Sequence, residues 1–109
     1  MQKLTGLIEE VVDVLGKQYT LLQIDDSWCI YRDFGNGYDV EINMEKTRKN
    51  TLNATVYVWH IKDKLKVIER IDDIKEIEDL KGILVGVVNK TNQLAIKRAK
   101  VYQPIIQAV

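Results

Sequence analysis

The chain has 109 residues, with 16 Lys or Arg against 16 Asp or Glu, one histidine, one cysteine and one proline. That length fits one domain, residues 1–109, large enough to hide a core without metals or disulfides, and an apolar fraction of 46% excludes wholesale disorder. A lone cysteine excludes an internal disulfide framework and any multi-cysteine metal site; zero net charge argues against a chain built mainly to coat nucleic acid or an anionic membrane.

Leu4, Leu7, Ile8, Val11, Val12 and Leu15 recur at the spacing that gives a helix one apolar stripe, so the reading is a helix from Leu4 to Leu15 stopped by Gly16. Glu9, Glu10 and Asp13 interrupt what would otherwise resemble a signal peptide. From Tyr19 the period becomes two. Thr20, Leu22 and Ile24 alternate with Tyr19, Leu21 and Gln23, and Asp25-Asp26-Ser27 reads as a turn.

Trp28–Phe34 and Tyr38–Glu45 flank Gly35-Asn36-Gly37, a hairpin signature. A two-residue Asn36-Gly37 loop pairs Arg32 with Glu41 but sets Val40 opposite Asp33. A three-residue loop with left-handed Gly37 pairs Phe34 with Tyr38, Ile30 with Ile42 and Trp28 with Met44. Matched apolar pairs outweigh one exposed ion pair, worth about 0.2–1 kcal/mol, so the three-residue loop is expected.

After a polar, basic loop over 46–50, Thr51–Ile61 reads as a strand, Lys62-Asp63-Lys64 as a turn, and Leu65–Arg70 as a fifth, edge strand guarded by Lys66 and Arg70. Asp72-Asp73 then marks a helix start, with Ile74, Ile77, Leu80, Leu84, Val87 and Val88 at helical spacing. Gly82 and Gly86, four apart, would let that helix approach another backbone closely. A rival reading ends it at Leu80 and makes Ile83–Val88 a strand. Thr91 or Asn92 would cap a last helix running through Tyr102 and stopped by Pro104, and the tail over 105–109 is apolar enough to expect docking.

The order is helix, adjacent strands, helices. It predicts an α+β fold: an N-terminal helix, an antiparallel four- to five-stranded sheet, and C-terminal helices packed on that sheet. The core face is expected to hold Leu22, Ile24, Trp28, Ile30, Phe34, Tyr38, Val40, Ile42, Met44, Val56 and Val58.

Motifs for chemistry are sparse. No Walker loop, GxGxxG, HExxH, EF-hand or GxSxG pattern occurs. Cys29 and His60 would be needed together for a thiolate–imidazole nucleophile, but alternation puts Cys29 on the outer face and His60 on the core face. The pairs Asp25/Asp26, Asp72/Asp73 and Glu78/Asp79 read as turn and capping residues, so no catalytic residue, metal site or cofactor is expected.

Charge is segregated. Residues 1–45 carry 3 basic and 9 acidic side chains, whereas residues 83–109 carry 4 basic and none acidic. Lys46, Arg48 and Lys49 in the loop, with Lys97, Arg98 and Lys100 near the C-terminus, would form a nucleic-acid surface should the fold bring them together. The stronger expectation is a protein-binding surface on the outer sheet face. Tyr19, Leu21, Tyr31, Tyr57, Trp59 and Ile61 would lie there beside Asp33, Asp39 and Glu41, with Tyr19, Tyr31, Asp33, Glu41, Tyr57 and Trp59 as the contact residues. The competing reading folds the C-terminal helix over that patch through Leu94, Ala95 and Tyr102 and makes it second core. The expected partner is another protein or a second copy, in a cytoplasmic protein with no membrane contact. An excess of Lys over Arg, 12 to 4, and 13 isoleucines suggest an AT-rich bacterial, phage or mobile-element source.

Overall fold

The computed structural model describes residues 4–107 except 25, 26, 46 and 50; the side chains of residues 4, 5, 24, 63–65 and 99–107 are not described. Helix α1 (Leu4–Leu15) leads into five strands, β1 (Thr20–Ile24), β2 (Ser27–Asp33), β3 (Tyr38–Met44), β4 (Ala54–His60) and β5 (Asp63–Ile74), followed by helix α2 (Ile77–Gln107). The strands form one antiparallel sheet in the order β1-β2-β3-β4-β5, each paired with its neighbours in sequence. This is an α+β fold.

The β2–β3 hairpin adopts the three-residue loop. Ile30 pairs with Ile42 and Arg32 with Val40, the Phe34 N–H donates to the Tyr38 carbonyl at 3.1 Å, and Gly35 and Gly37 sit at φ 74° and 93°. Asn36 locks the turn, its Oδ1 accepting the Tyr38 N–H at 3.1 Å. The register gathers Ile30, Tyr38, Val40 and Ile42 on one face, all buried. Met44 also lies there, and β4 adds Ala54, Val56 and Val58.

Both helices cover that face. Leu7, Ile8 and Val11 of α1 and Leu80, Leu84 and Val87 of α2 join Ile30, Val40, Ile42, Val56 and Val58 in one hydrophobic cluster. Gly16 follows α1 at φ 102°, the left-handed end that glycine provides cheaply. Glu78 and Asp79 occupy the first turn of α2, where carboxylates offset the positive pole of the helix.

Four expectations are corrected. First, β1 pairs Leu21 with Ile30 and Gln23 with Trp28, so Tyr19 and Leu21 share the helix-bearing face, while Leu22 lies outside at 39% exposure. Tyr19 is buried within the core cluster and Leu21 packs against it. Trp28 follows Ile30 in alternation but is 41% exposed at the sheet margin, and the side chain of Ile24 lies outside the described residues. Apolar residues lie on both faces of β1, so its alternation alone does not fix its orientation; the pairing with β2 does.

Second, β5 runs on through Asp72 and Asp73, and β4 begins at Ala54, three residues later than expected. Ala54 pairs with Ile74 and Val56 with Ile71, so the two aspartates form a bulge opposite Thr55. Asp73 adopts φ 60°, a conformation that Asp tolerates better than most residues. The Asp-Asp signal that suggests a helix cap therefore serves a bulge.

Third, α2 is one helix of 31 residues, about 46 Å long at the usual rise. Neither the strand over 83–88 nor the break at 91–92 is present, and Pro104 lies inside the helix. Thr91 is buried at 1% exposure, and its hydroxyl donates back to the Val87 and Val88 carbonyls, at 2.9 and 3.1 Å, satisfying itself within the helix as threonine can. Fourth, Gly82 and Gly86 face open space, with nothing within 4 Å of a Cβ at either. Residues 108 and 109 of the expected docked tail lie outside the described residues.

Candidate outer-face binding site

Pairing across the sheet arranges the outer face in three rows. One runs Asp33, Asp39, Trp59, Val67; the next Thr20, Tyr31, Glu41, Tyr57, Arg70; the third Leu22, Cys29, Asn43, Thr55. Central strand β3 thus contributes Asp39, Glu41 and Asn43, and aromatic rings flank them on β2 and β4. Tyr31, Tyr57 and Trp59 are half-buried. The described part of α2 crosses the opposite face, so it does not cover these rings; the Tyr102 side chain lies outside the described residues.

Polar contacts tie the rows together. The Tyr31 hydroxyl donates to Asp39 Oδ2 at 2.8 Å. Burial, this bond and the nearby Asp39 and Asp33 charges push the Tyr31 phenol up to about 12, so it stays a donor. Glu41 accepts from Cys29 Sγ at 3.7 Å and from Asn43 Nδ2 at 3.4 Å. Arg70 lies over the Tyr57 ring, 5.3 Å from its centroid, and pairs with Asp72 at 3.0 Å, as does the Thr55 hydroxyl at 3.3 Å.

Asp39 stands out. It is 7% exposed, and its second oxygen, Oδ1, is buried without a hydrogen-bond partner. Directly across the ladder is Asp33, exposed and accepting the Gly35 N–H on Oδ1 at 2.8 Å. Because Phe34 and Tyr38 form a hydrogen-bonded pair, the next pair, Asp33 and Asp39, is of the alternate kind, in which side chains approach most closely. Alternation places Asp39 on this face; its burial has no signal in the sequence.

Five of the six residues expected to bind a partner, Tyr31, Asp33, Glu41, Tyr57 and Trp59, therefore share this face. Tyr19 does not. It lies on the helix-bearing side, where Arg32 stacks over its ring at 5.3 Å and donates to its hydroxyl at 3.4 Å. Ile61 sits in the β4–β5 turn.

Cys29 and His60 are on opposite faces and form no nucleophilic pair. Cys29 is 1% exposed; burial, with the Glu41 charge and hydrogen bond, pushes its thiol up to about 11. His60 packs edge-on against Tyr38, centroids 5.2 Å apart, and touches Arg98. Among the described residues no three His, Cys, Asp or Glu side chains group to hold a metal ion.

The two basic segments are kept apart. Arg98 lies over Tyr38, at the end of the sheet where Tyr38 pairs with His60. Arg48 and Lys49 belong to the loop at the other end, beyond the Met44–Ala54 pair, about 20 Å away along β3 at the usual strand rise. Lys97 is exposed on α2; Lys46 and the side chain of Lys100 lie outside the described residues. Among the described residues no helix is long and apolar enough to cross a membrane. Comparison with protein-family models, curated proteins and solved structures found no match.

Proposed function

We propose that the protein is a non-enzymatic interaction module that docks another protein on the outer face of its sheet. One observation carries the reading: both helices pack on the same side, leaving Tyr57 and Trp59, with Tyr31 and the carboxylates between them, uncovered by the described part of the chain. Aromatic side chains beside scattered charges are what protein interfaces enrich, and Tyr and Trp dominate their binding energy.

A second copy packed face to face through a two-fold axis fits less well. An isologous contact sets each patch against itself, and here it would oppose Asp33, Asp39 and Glu41 to the same three carboxylates. A cytoplasmic protein of bacterial, phage or mobile-element origin remains the setting that composition suggests.

The test compares wild type with a Tyr57→Ala/Trp59→Ala double variant of unchanged circular dichroism, as bait in host extract and, alone, by light scattering across concentrations. The expected result is a partner held by wild type and released by the variant, whose affinity falls at least about 30-fold, the loss of about 2 kcal/mol that defines an interface hot spot. A partner retained equally by both proteins would refute the reading. Association of wild type with itself, abolished by the variant, would make the partner a second copy.

A further inference from the structure

The outer face carries an electrostatic imbalance that the fold does not resolve. Of its charged groups, Arg70 is matched by Asp72. Among the described residues no Lys, Arg or His forms an ion pair with Asp33, Asp39 or Glu41. Like charges directly opposite each other across a ladder are destabilising, and a buried carboxylate oxygen with no partner forfeits its hydration without compensation. Asp39 does both. Its Oδ2 is held by Tyr31 at 2.8 Å, while Oδ1 is buried and unmatched.

The neighbours supply the rest of a receptor. Asp39 is flanked by Asp33 on β2 and by Trp59 on β4. Glu41 and Tyr57 follow in the adjoining row. A cation placed over an indole and against a carboxylate gains from both, and a planar guanidinium can stack on the ring while its fork reaches two acceptors.

We infer that the outer face takes its partner by a cationic side chain, an arginine or lysine of a basic protein segment, seated between Trp59 and the Asp33–Asp39 pair. This rests on the reading that the face receives a protein, and it names the chemistry of that protein. The carboxylate arrangement that costs the free protein stability becomes the source of affinity in the complex, because the incoming charge meets the exposed Asp33 carboxylate directly and offsets the field of Asp39 buried behind it. The aromatic rings exclude water around the pair and raise its strength.

The probe is a peptide of arginines alternating with glycines, together with its citrulline counterpart, which keeps the shape and loses the charge. Each is titrated into the W28F protein, where Trp59 is the sole indole, and its fluorescence is followed. The arginine peptide is expected to shift the Trp59 emission and the citrulline peptide to leave it unchanged.

Asp39→Asn should weaken binding at least about tenfold, the scale of removing one neighbouring charge from a partly desolvated site. Asp13→Asn, an equal change of net charge on exposed α1, should weaken it less than about twofold, as for a distant charge screened by salt. Asp39→Asn should also leave the melting temperature unchanged or raise it, since it removes the repulsion. A purely structural Asp39 would lower it. Should that variant fail to fold, Asp33→Asn carries the same binding expectation.

Equal binding of both peptides, or equal losses in the Asp39 and Asp13 variants, would overturn the inference. A host partner that needs Trp59 yet ignores Asp39→Asn would overturn it while leaving the docking reading standing. Failure of the host-extract experiment as well would remove both.

Discussion

The hairpin tip is pinned to the middle of α2 by one side chain, and the strength of that attachment can be worked out. Asn36 Nδ2 donates to Thr91 Oγ1 at 3.0 Å and to Asn92 Oδ1 at 2.7 Å, and its Oδ1 accepts the Tyr38 N–H at 3.1 Å. Each such bond has a net worth of about 0.5–1.5 kcal/mol, with the exposed contact to Asn92 at the low end. Asn36→Ala is therefore expected to destabilise the protein by about 1.5–3 kcal/mol. That corresponds to a melting point lower by about 6–12 °C, at the ~4 °C per kcal/mol appropriate to a domain of this size.

Thr91→Val keeps the buried volume and removes the acceptor, at a cost of about 0.5–1.5 kcal/mol. Because the two residues share one bond, the double variant should lose about 0.5–1 kcal/mol less than the sum of the single losses. Urea and thermal unfolding of the four proteins, followed by circular dichroism, measures this coupling. Strictly additive losses would mean that the tip does not touch the helix in solution, and the placement of α2 across the core face would fall with it.

Two further expectations concern the core and the thiol. Leu80→Ala, at a fully buried position of α2, should cost about 2–5 kcal/mol in urea unfolding, whereas Val85→Ala on the exposed side should stay within about 0.5 kcal/mol; equal effects would place the wrong face of α2 inward. Native Cys29 should resist iodoacetamide near pH 8 and gain reactivity only as pH climbs toward 11. Its folded-state pKa is raised from 9.0 to about 11, so the unfolded chain loses this proton first and the thiol's contribution to stability declines as pH rises across that interval; labelling as fast as in the urea-unfolded chain would contradict the burial.

The alternation of Tyr38, Val40, Ile42 and Met44 was legible because only one register buries all four, and Gly35-Asn36-Gly37 permits it. In β1 both faces carry apolar residues, and a one-residue difference in register reverses them, so periodicity alone puts Tyr19 on the wrong side. Asp72 and Asp73 misled because aspartate serves helix caps and left-handed bulge positions alike. Thr91 misled for a related reason: its hydroxyl can cap a helix start or bond back within a helix, and only the tertiary contact with Asn36 selects between them. The aromatic and acidic composition of the outer face is visible from periodicity, but the burial of Asp39 arises only in the assembled sheet, between its ladder partners Asp33 and Trp59, and alternation does not encode it.

Every strand pairs with its chain neighbour, so the sheet can assemble as it leaves the ribosome, hairpin by hairpin, with little loop entropy to overcome. Its greasy side, however, gains Leu80, Leu84 and Val87 only when α2 arrives. Over the synthesis of residues 77–91, about 1–3 s at ordinary elongation rates, the nascent meander carries Val40, Ile42, Val56 and Val58 without that half of their shelter. A chain truncated before Leu80 would stay permanently in this condition, a substrate for chaperones and proteases.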